Sequence, residues 1–148
     1  MSTKIFVNLP TTDLERAKAF YSALGWEINP NFTDDNAACV VIDDDVYLMI
    51  LKREYLATFT DKPISDPRTS LQVEVALSRE SREDVDALVE KALAAGGTEP
   101  RDVQDYGFMY GRTFEDPDGN LFAPLYMDPV AAEKGPEAFA AEQEGATA

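Results

Sequence analysis

This sequence offers few side chains that can move a proton or hold a metal ion, and the shortage narrows its chemistry. Its 148 residues include no histidine. Histidine is the commonest metal ligand and the usual base near neutral pH. Its absence excludes His-ligated zinc, iron and nickel, and every Ser–His or Cys–His nucleophile. A metal site would need oxygen ligands, and a base would have to be a carboxylate, tyrosine or lysine. Glu74 is the first candidate. It lies in LQVEVALS, where alternation sets Val73, Val75 and Leu77 on one face and Gln72, Glu74 and Ala76 on the other. Partial burial would raise its pKa and equip it as a base. The competing reading is an ion pair, for instance with Arg112. Tyr110 and Arg112 share a face if residues 108–114 form a regular strand. With Phe6, Asn8 and Gln72 they would make a small apolar pocket with a few polar anchors. In the competing reading Arg112 braces a turn and Tyr110 packs at a dimer interface.

Composition sets further bounds. The net charge is −15, from 13 basic and 28 acidic residues. A phosphate backbone or an anionic membrane would be repelled, so neither nucleic acid nor membrane is expected as a partner. No apolar run is long enough to span a bilayer, and the N-terminus lacks a signal-peptide pattern. The single cysteine, Cys39, has no partner for an internal disulfide and sits in the apolar stretch AACVVI. It reads as a small buried hydrophobe, and the chain as cytoplasmic. The acid-rich loops at 34–35 and 43–45 lack EF-hand spacing and read as solvated surface. Trp26, Phe32, Tyr47, Tyr55 and Phe59 read as core and lid, although such rings can also hold a cationic or planar ligand.

The elements that must position these residues form two similar halves. KIFVNLP alternates as a half-buried strand, with Val7 and Leu9 opposite Phe6 and Asn8. A helix follows, with Thr12 and Glu15 as a capping box, Leu14, Ala17, Tyr21 and Leu24 at helical spacing, and Gly25 as its stop. Trp26 and Ile28 read as a strand, then AACVVID and VYLMILK as a strand pair. The second half repeats the plan: LQVEVALS, a helix opened by Ser81 and closed by Gly96, an apolar strand over 108–114, the turn DPDG, and a strand from Leu121 to Met127. Eleven residues separate Leu14 from Gly25 and Val85 from Gly96 alike. Residues 53–70 link the halves, and their segment 54–59 reads as a short helix or a cover over a cavity mouth. The Ala- and Glu-rich tail after Pro129 reads as a short helix or as disordered.

In order and spacing, FVNLPTTDLERAKAFYSALGW, DALVEKALAAGG and GRTFEDPDGN resemble the vicinal-oxygen-chelate superfamily, which includes glyoxalase I, extradiol dioxygenases and bleomycin-resistance proteins. The resemblance covers residues 4–129 and looks closest to small bacterial proteins labelled predicted lactoylglutathione lyases. It implies an α+β fold of paired βαβββ modules forming a curled mixed sheet with a concave cavity. The modules would span about 3–54 and 70–128 of a single domain at 1–129, with a tail at 130–148. It also implies a homodimer. Metal-dependent members carry four ligands on the concave faces. Carried over, those positions fall on Phe6, on Met49 or Leu51, on Gln72, and on Ala123, four residues past Gly119. That set assigns no metal and no cofactor. Pro124 beside it removes a ladder donor and favours an edge or a bulge. The expectation is a metal-free protein that binds a small cationic or aromatic molecule through Phe6, Asn8, Met49, Gln72, Glu74, Tyr110, Arg112 and Ala123. The alternative is a glyoxalase-like lyase using Glu74 or Tyr110, so the reading leaves open whether the chain is an enzyme.

Overall fold

The computed structural model describes residues 2–147. The first module runs β1 (Ile5–Thr11), α1 (Leu14–Ala23), β2 (Glu27–Asn29), β3 (Ala37–Asp43) and β4 (Val46–Lys52). A strap follows, opening with α2 (Arg53–Leu56) and a 3-10 turn at Ala57–Phe59. The second module runs β5 (Glu74–Ser78), α3 (Arg82–Ala94), β6 (Gln104–Asp105), β7 (Met109–Gly111), β8 (Phe114–Glu115) and β9 (Leu121–Met127). The chain ends in α4 (Pro129–Lys134) and α5 (Pro136–Thr147), so the tail is helical. The strands form two mixed sheets, ordered β1-β4-β3-β2 and β5-β9-β7-β6, with β8 also paired to β9. In each, the first and last strands of the module lie parallel.

Local signals explain both long helices. Ser81 caps α3, its hydroxyl accepting from the Asp84 N–H at 3.1 Å. At α1 the cap is Asp13, not Thr12, with its carboxylate accepting from the Arg16 N–H at 3.0 Å. Thr12 is drawn elsewhere, because its N–H and its hydroxyl both donate to Asp118 at 2.9 Å. The two helices bury their apolar stripes in one core shared by the modules. Phe20, Tyr21 and Leu24 of the first half meet Leu88, Val89, Phe114 and Phe122 of the second.

Two strands differ from their expected extents. The run 108–114 is split into β7 and β8, with Arg112 and Thr113 between them. Pro124 explains the split. It lies in β9, a central strand, opposite Leu77 of β5. Its carbonyl accepts from the Arg112 N–H at 3.2 Å on the other side, toward β7 and β8. A residue's N–H and C=O point the same way in a strand, so the donor that proline lacks falls where β7 and β8 are interrupted. The second difference is at β5, which begins at Glu74 and leaves Gln72 and Val73 in the strap's last residues, with Val73 exposed.

The DPDG turn staples the modules together. The buried Asp116 carboxylate accepts from the Tyr21 hydroxyl at 2.5 Å, from the backbone N–H groups of Asp118 and Asn120 at 3.0 and 2.8 Å, and from the Asn120 side chain at 2.9 Å. Asp118, also buried, accepts from the Thr11 hydroxyl at 2.5 Å and from Arg16 at 3.0 Å. Asn120 in turn donates to the Pro10 carbonyl at 3.1 Å. A turn readable from local sequence thus fixes the end of β1, where the first module's outer face begins.

Candidate ligand-binding site

β1 and β4 set the outer face of the first sheet. Their register pairs Phe6 with Tyr47, Asn8 with Met49, and Pro10 with Leu51. The intervening Leu9, Leu48 and Ile50 turn inward to the core. Phe6 and Tyr47 stack, with ring centroids 4.7 Å apart and planes 11° from parallel. On the outer face lies an open hollow of about 400 Å³, floored by Asn8, Met49 and Leu51. Its walls come from two flanking segments: Asn31, Phe32 and Asp34 before β3, and Tyr55 and Phe59 from the strap. Phe32 and Phe59 are 69% and 57% exposed. Tyr55 and Phe59 meet edge to face at 5.0 Å. Asp34 is tied to its own turn by the N–H groups of Asn36 and Ala37, at 2.8 and 3.1 Å, which leaves its charge at the rim.

The other expected site residues are not gathered there. Glu74 pairs with Arg101 at 2.8 Å, not with Arg112. With Ala123, Gln104 and Thr113 this pair lines a smaller hollow of about 60 Å³ in the second module, which Arg112 also borders. The Thr113 hydroxyl is buried and has no hydrogen-bond partner there. Gln72 lines a third cavity, beneath the strap, and Asn8 borders both that cavity and the first-sheet hollow. By the seven-residue offset that separates Phe6 from the cap Asp13, the position ahead of the cap Ser81 is Glu74 rather than Gln72.

Tyr110 and Arg112 turn to α3. The Tyr110 hydroxyl donates to Asp86 at 2.6 Å. Arg112, with only 10% of its side chain exposed, reaches Asp86 and Glu90 at 3.0 Å and Glu99 at 2.8 Å. The Tyr110 hydrogen bond, followed by Arg112, holds the Asp86 carboxyl below the usual aspartate range, and the same bond pushes the Tyr110 phenol up. Bonding to Glu99 raises the Arg112 guanidinium further. We expect Arg112→Met to lower stability by about 1–2 kcal/mol at neutral pH, since the three carboxylates can be rehydrated in the variant. The depressed Asp86 contributes stability above the usual carboxylate range and loses it as pH falls through its lowered value. Urea titrations of both proteins should therefore converge as pH drops below about 4.

The fold family's metal-dependent members raise the question of a divalent ion, and the donors present do not fit one. The carried-over positions supply a phenyl ring, a thioether or an isobutyl group, the Gln72 amide or, by the seven-residue offset, the Glu74 carboxylate, and a methyl group. The amide, on Gln72, lies beyond the end of β5. Glu74 is engaged by Arg101. Among the described residues no group of three or more Asp, Glu or Cys side chains is placed to hold a metal.

Sequence reading missed Asn31 and Arg101 as site residues. Asn31 is placed by a 3-10 turn at Pro30–Phe32 that Asn29 caps, accepting from the Asn31 N–H at 3.0 Å, and Arg101 by a loop with no local signal. The strap segment 54–59, read from sequence as a short helix or a cavity cover, forms α2 and a 3-10 turn and supplies Tyr55 and Phe59 to the hollow.

Comparison with known proteins agrees with this architecture. Residues 3–43 match the family model for bleomycin resistance protein-like N-terminal regions. No protein with a curated description matches the sequence. Among solved structures, hypothetical protein SA1046 from S. aureus is 26% identical, with a TM-score of 0.72 over 85% of this chain and 94% of its own. A glyoxalase/bleomycin resistance protein/dioxygenase family enzyme from Burkholderia phytofirmans PsJN is 21% identical, with a TM-score of 0.70 over 85% and 99%. TnmS3, an antibiotic-binding protein from Streptomyces sp. CB03234, is 19% identical, with a TM-score of 0.61 over 86% and 98%. This chain has the glyoxalase/bleomycin-resistance fold, and its residues 3–43 match the bleomycin resistance protein-like N-terminal family model.

Proposed function

We propose that this protein binds a small cationic or aromatic molecule, without a metal and without changing it, on the outer face of its first sheet. The observation that carries this reading is the open hollow of about 400 Å³ walled by Phe32, Tyr55 and Phe59 and rimmed by Asp34 and Asn31. Ring faces attract planar and cationic groups, and the acidic rim favours the second. Large rings left more than half exposed gain free energy from any partner that covers them. The antibiotic-binding TnmS3, a structural neighbour, supports a small-molecule ligand. Lyase chemistry has less support. Glu74 is held by Arg101 and Tyr110 by Asp86, so neither is poised as a free acid or base. The protein acts as a cytoplasmic homodimer in this reading, the exposed Ile5 and Val103 being surfaces that a second copy would cover.

The test is a thermal-shift screen of cationic and aromatic compounds, followed by calorimetry on the best. Phe32→Ala/Phe59→Ala should weaken its binding about tenfold or more, from two lost ring contacts. The same variant should keep its stability within about 0.5 kcal/mol, because both rings are exposed. A screen in which nothing raises the melting temperature, or binding indifferent to the double variant, would overturn the proposal.

A further inference from the structure

The cavity beneath the strap is lined by Leu56 of α2, whose Tyr55 walls the first-sheet hollow, and its chemistry is opposite to that hollow's. Residues 62–73 of the strap arch over the end of β1 and the DPDG turn, bounding a partly open cavity of about 380 Å³. That volume lies within the range of roughly 300–1,000 Å³ that small ligands fill. Leu56, Pro63, Ile64, Leu71, Val73 and Leu121 make its wall apolar. The arch is preformed: the Arg53 guanidinium donates to the carbonyls of Ile64 and Ser65 at 2.7 and 2.8 Å. Gly119 fixes its far end. The φ of Gly119 is +96°, and a Cβ there would lie 2.9 Å from the backbone nitrogen of Arg68.

The charge pattern is the informative feature. Among the described residues no Asp or Glu lines this cavity, and Lys62 is the one charged residue that does. It makes no ion pair among the described residues, although acids outnumber bases 28 to 13. The side-chain amides of Asn8 and Gln72, which line the same space, also make no hydrogen bond among the described residues. Lys62, Asn8 and Gln72 are all exposed, and an ammonium and two amides on one lining offer donors to an anion. Elsewhere this acidic surface would repel an anion; here it would meet donors and an apolar wall.

We propose that the strap cavity is a second binding site, one that takes a small amphipathic carboxylate. Its apolar body lies against Leu56, Ile64, Leu71 and Leu121, and its carboxylate accepts from Lys62, Asn8 and Gln72. This site is independent of the aromatic hollow, although Asn8 borders both.

The probe is decanoate, with decanol and decylammonium as chain-matched neutral and cationic controls. Calorimetry on the full chain should give saturable binding of one decanoate, with both controls about tenfold weaker or more. Lys62→Glu, a change at an exposed position, should weaken decanoate by about tenfold while leaving the fold intact. In methyl NMR spectra, decanoate should shift Leu56, Ile64 and Leu71. Phe32→Ala/Phe59→Ala should leave decanoate binding unchanged, so failure of the first-sheet reading would not be mistaken for failure here. No saturable decanoate binding would overturn the proposal. So would equal binding of decanol or decylammonium, or shifts confined to the Met49 methyl.

Discussion

Asp116→Ala is expected to destabilise the protein by about 3–5 kcal/mol, a loss typical of breaking a buried, fully bonded charged group. The carboxylate accepts four hydrogen bonds in a site 4% exposed. Removing it leaves the Tyr21 hydroxyl and the Asn120 amide buried with fewer partners, each worth about 1–3 kcal/mol when unsatisfied. Because Tyr21 belongs to the first module and Asp116 to the second, the loss should appear as one cooperative shift of the urea midpoint. Tyr21→Phe, which removes one donor, should cost about 1–2 kcal/mol. Asp116→Asn adds a pH signature. Burial raises the Asp116 carboxyl above its usual range, ahead of the hydrogen bonds that oppose the rise. The folded state then binds a proton more readily than the unfolded one, so this group's contribution to stability grows as pH falls and shrinks as pH rises. The gap between wild type and Asp116→Asn should therefore widen as pH is lowered from 7 toward the usual carboxylate range. A parallel pair of stability–pH curves would contradict this account of the staple.

Phe122→Ala should be comparably damaging, at about 3–5 kcal/mol, the range for removing a buried aromatic ring without collapse of the space. Phe122 is fully buried. Its ring stacks on Phe114 at 5.0 Å and 8°, and meets Tyr21 and Trp26 at 5.9 and 6.2 Å. Two of those neighbours come from the other module, so the cavity would open between the halves. The expected result is a single unfolding transition at lower urea with an unchanged slope. Two separated transitions would mean that the modules own separate cores.

Features set by neighbours in sequence were legible before the structure. Ser81 reads as a cap from Ser81 and Asp84 alone, and the DPDG turn from its Pro, Asp and Gly. The inward row of the first sheet follows from alternation. Legibility fails where a distant partner outbids a local one. Thr12 looks like a cap, but Asp118 takes its donors from 106 positions away. Residues 108–114 look like one strand, and the interruption at Arg112 and Thr113 comes from a proline in β9. The same holds for the site. Asn8 and Met49 fall on the outer face by alternation and register. The partners of Tyr110 and Arg112 were not readable, because Asp86, Glu90 and Glu99 sit on α3 and its following loop. Nor was the strap cavity, whose walls join only when the turn, β1 and residues 62–73 are folded together.

The measurement that tests the central claim most directly is the metal content of the untagged protein. The purified chain would be incubated with nickel or zinc, passed through a desalting column, and analysed by plasma mass spectrometry against protein concentration. A polyhistidine tag must be absent, since the native chain has no histidine. Metal well below one equivalent is the predicted result, in keeping with positions that carry phenyl, thioether and methyl groups and a Glu74 carboxylate already paired with Arg101. One tightly held equivalent per chain would contradict the account and return the lyase reading to first place.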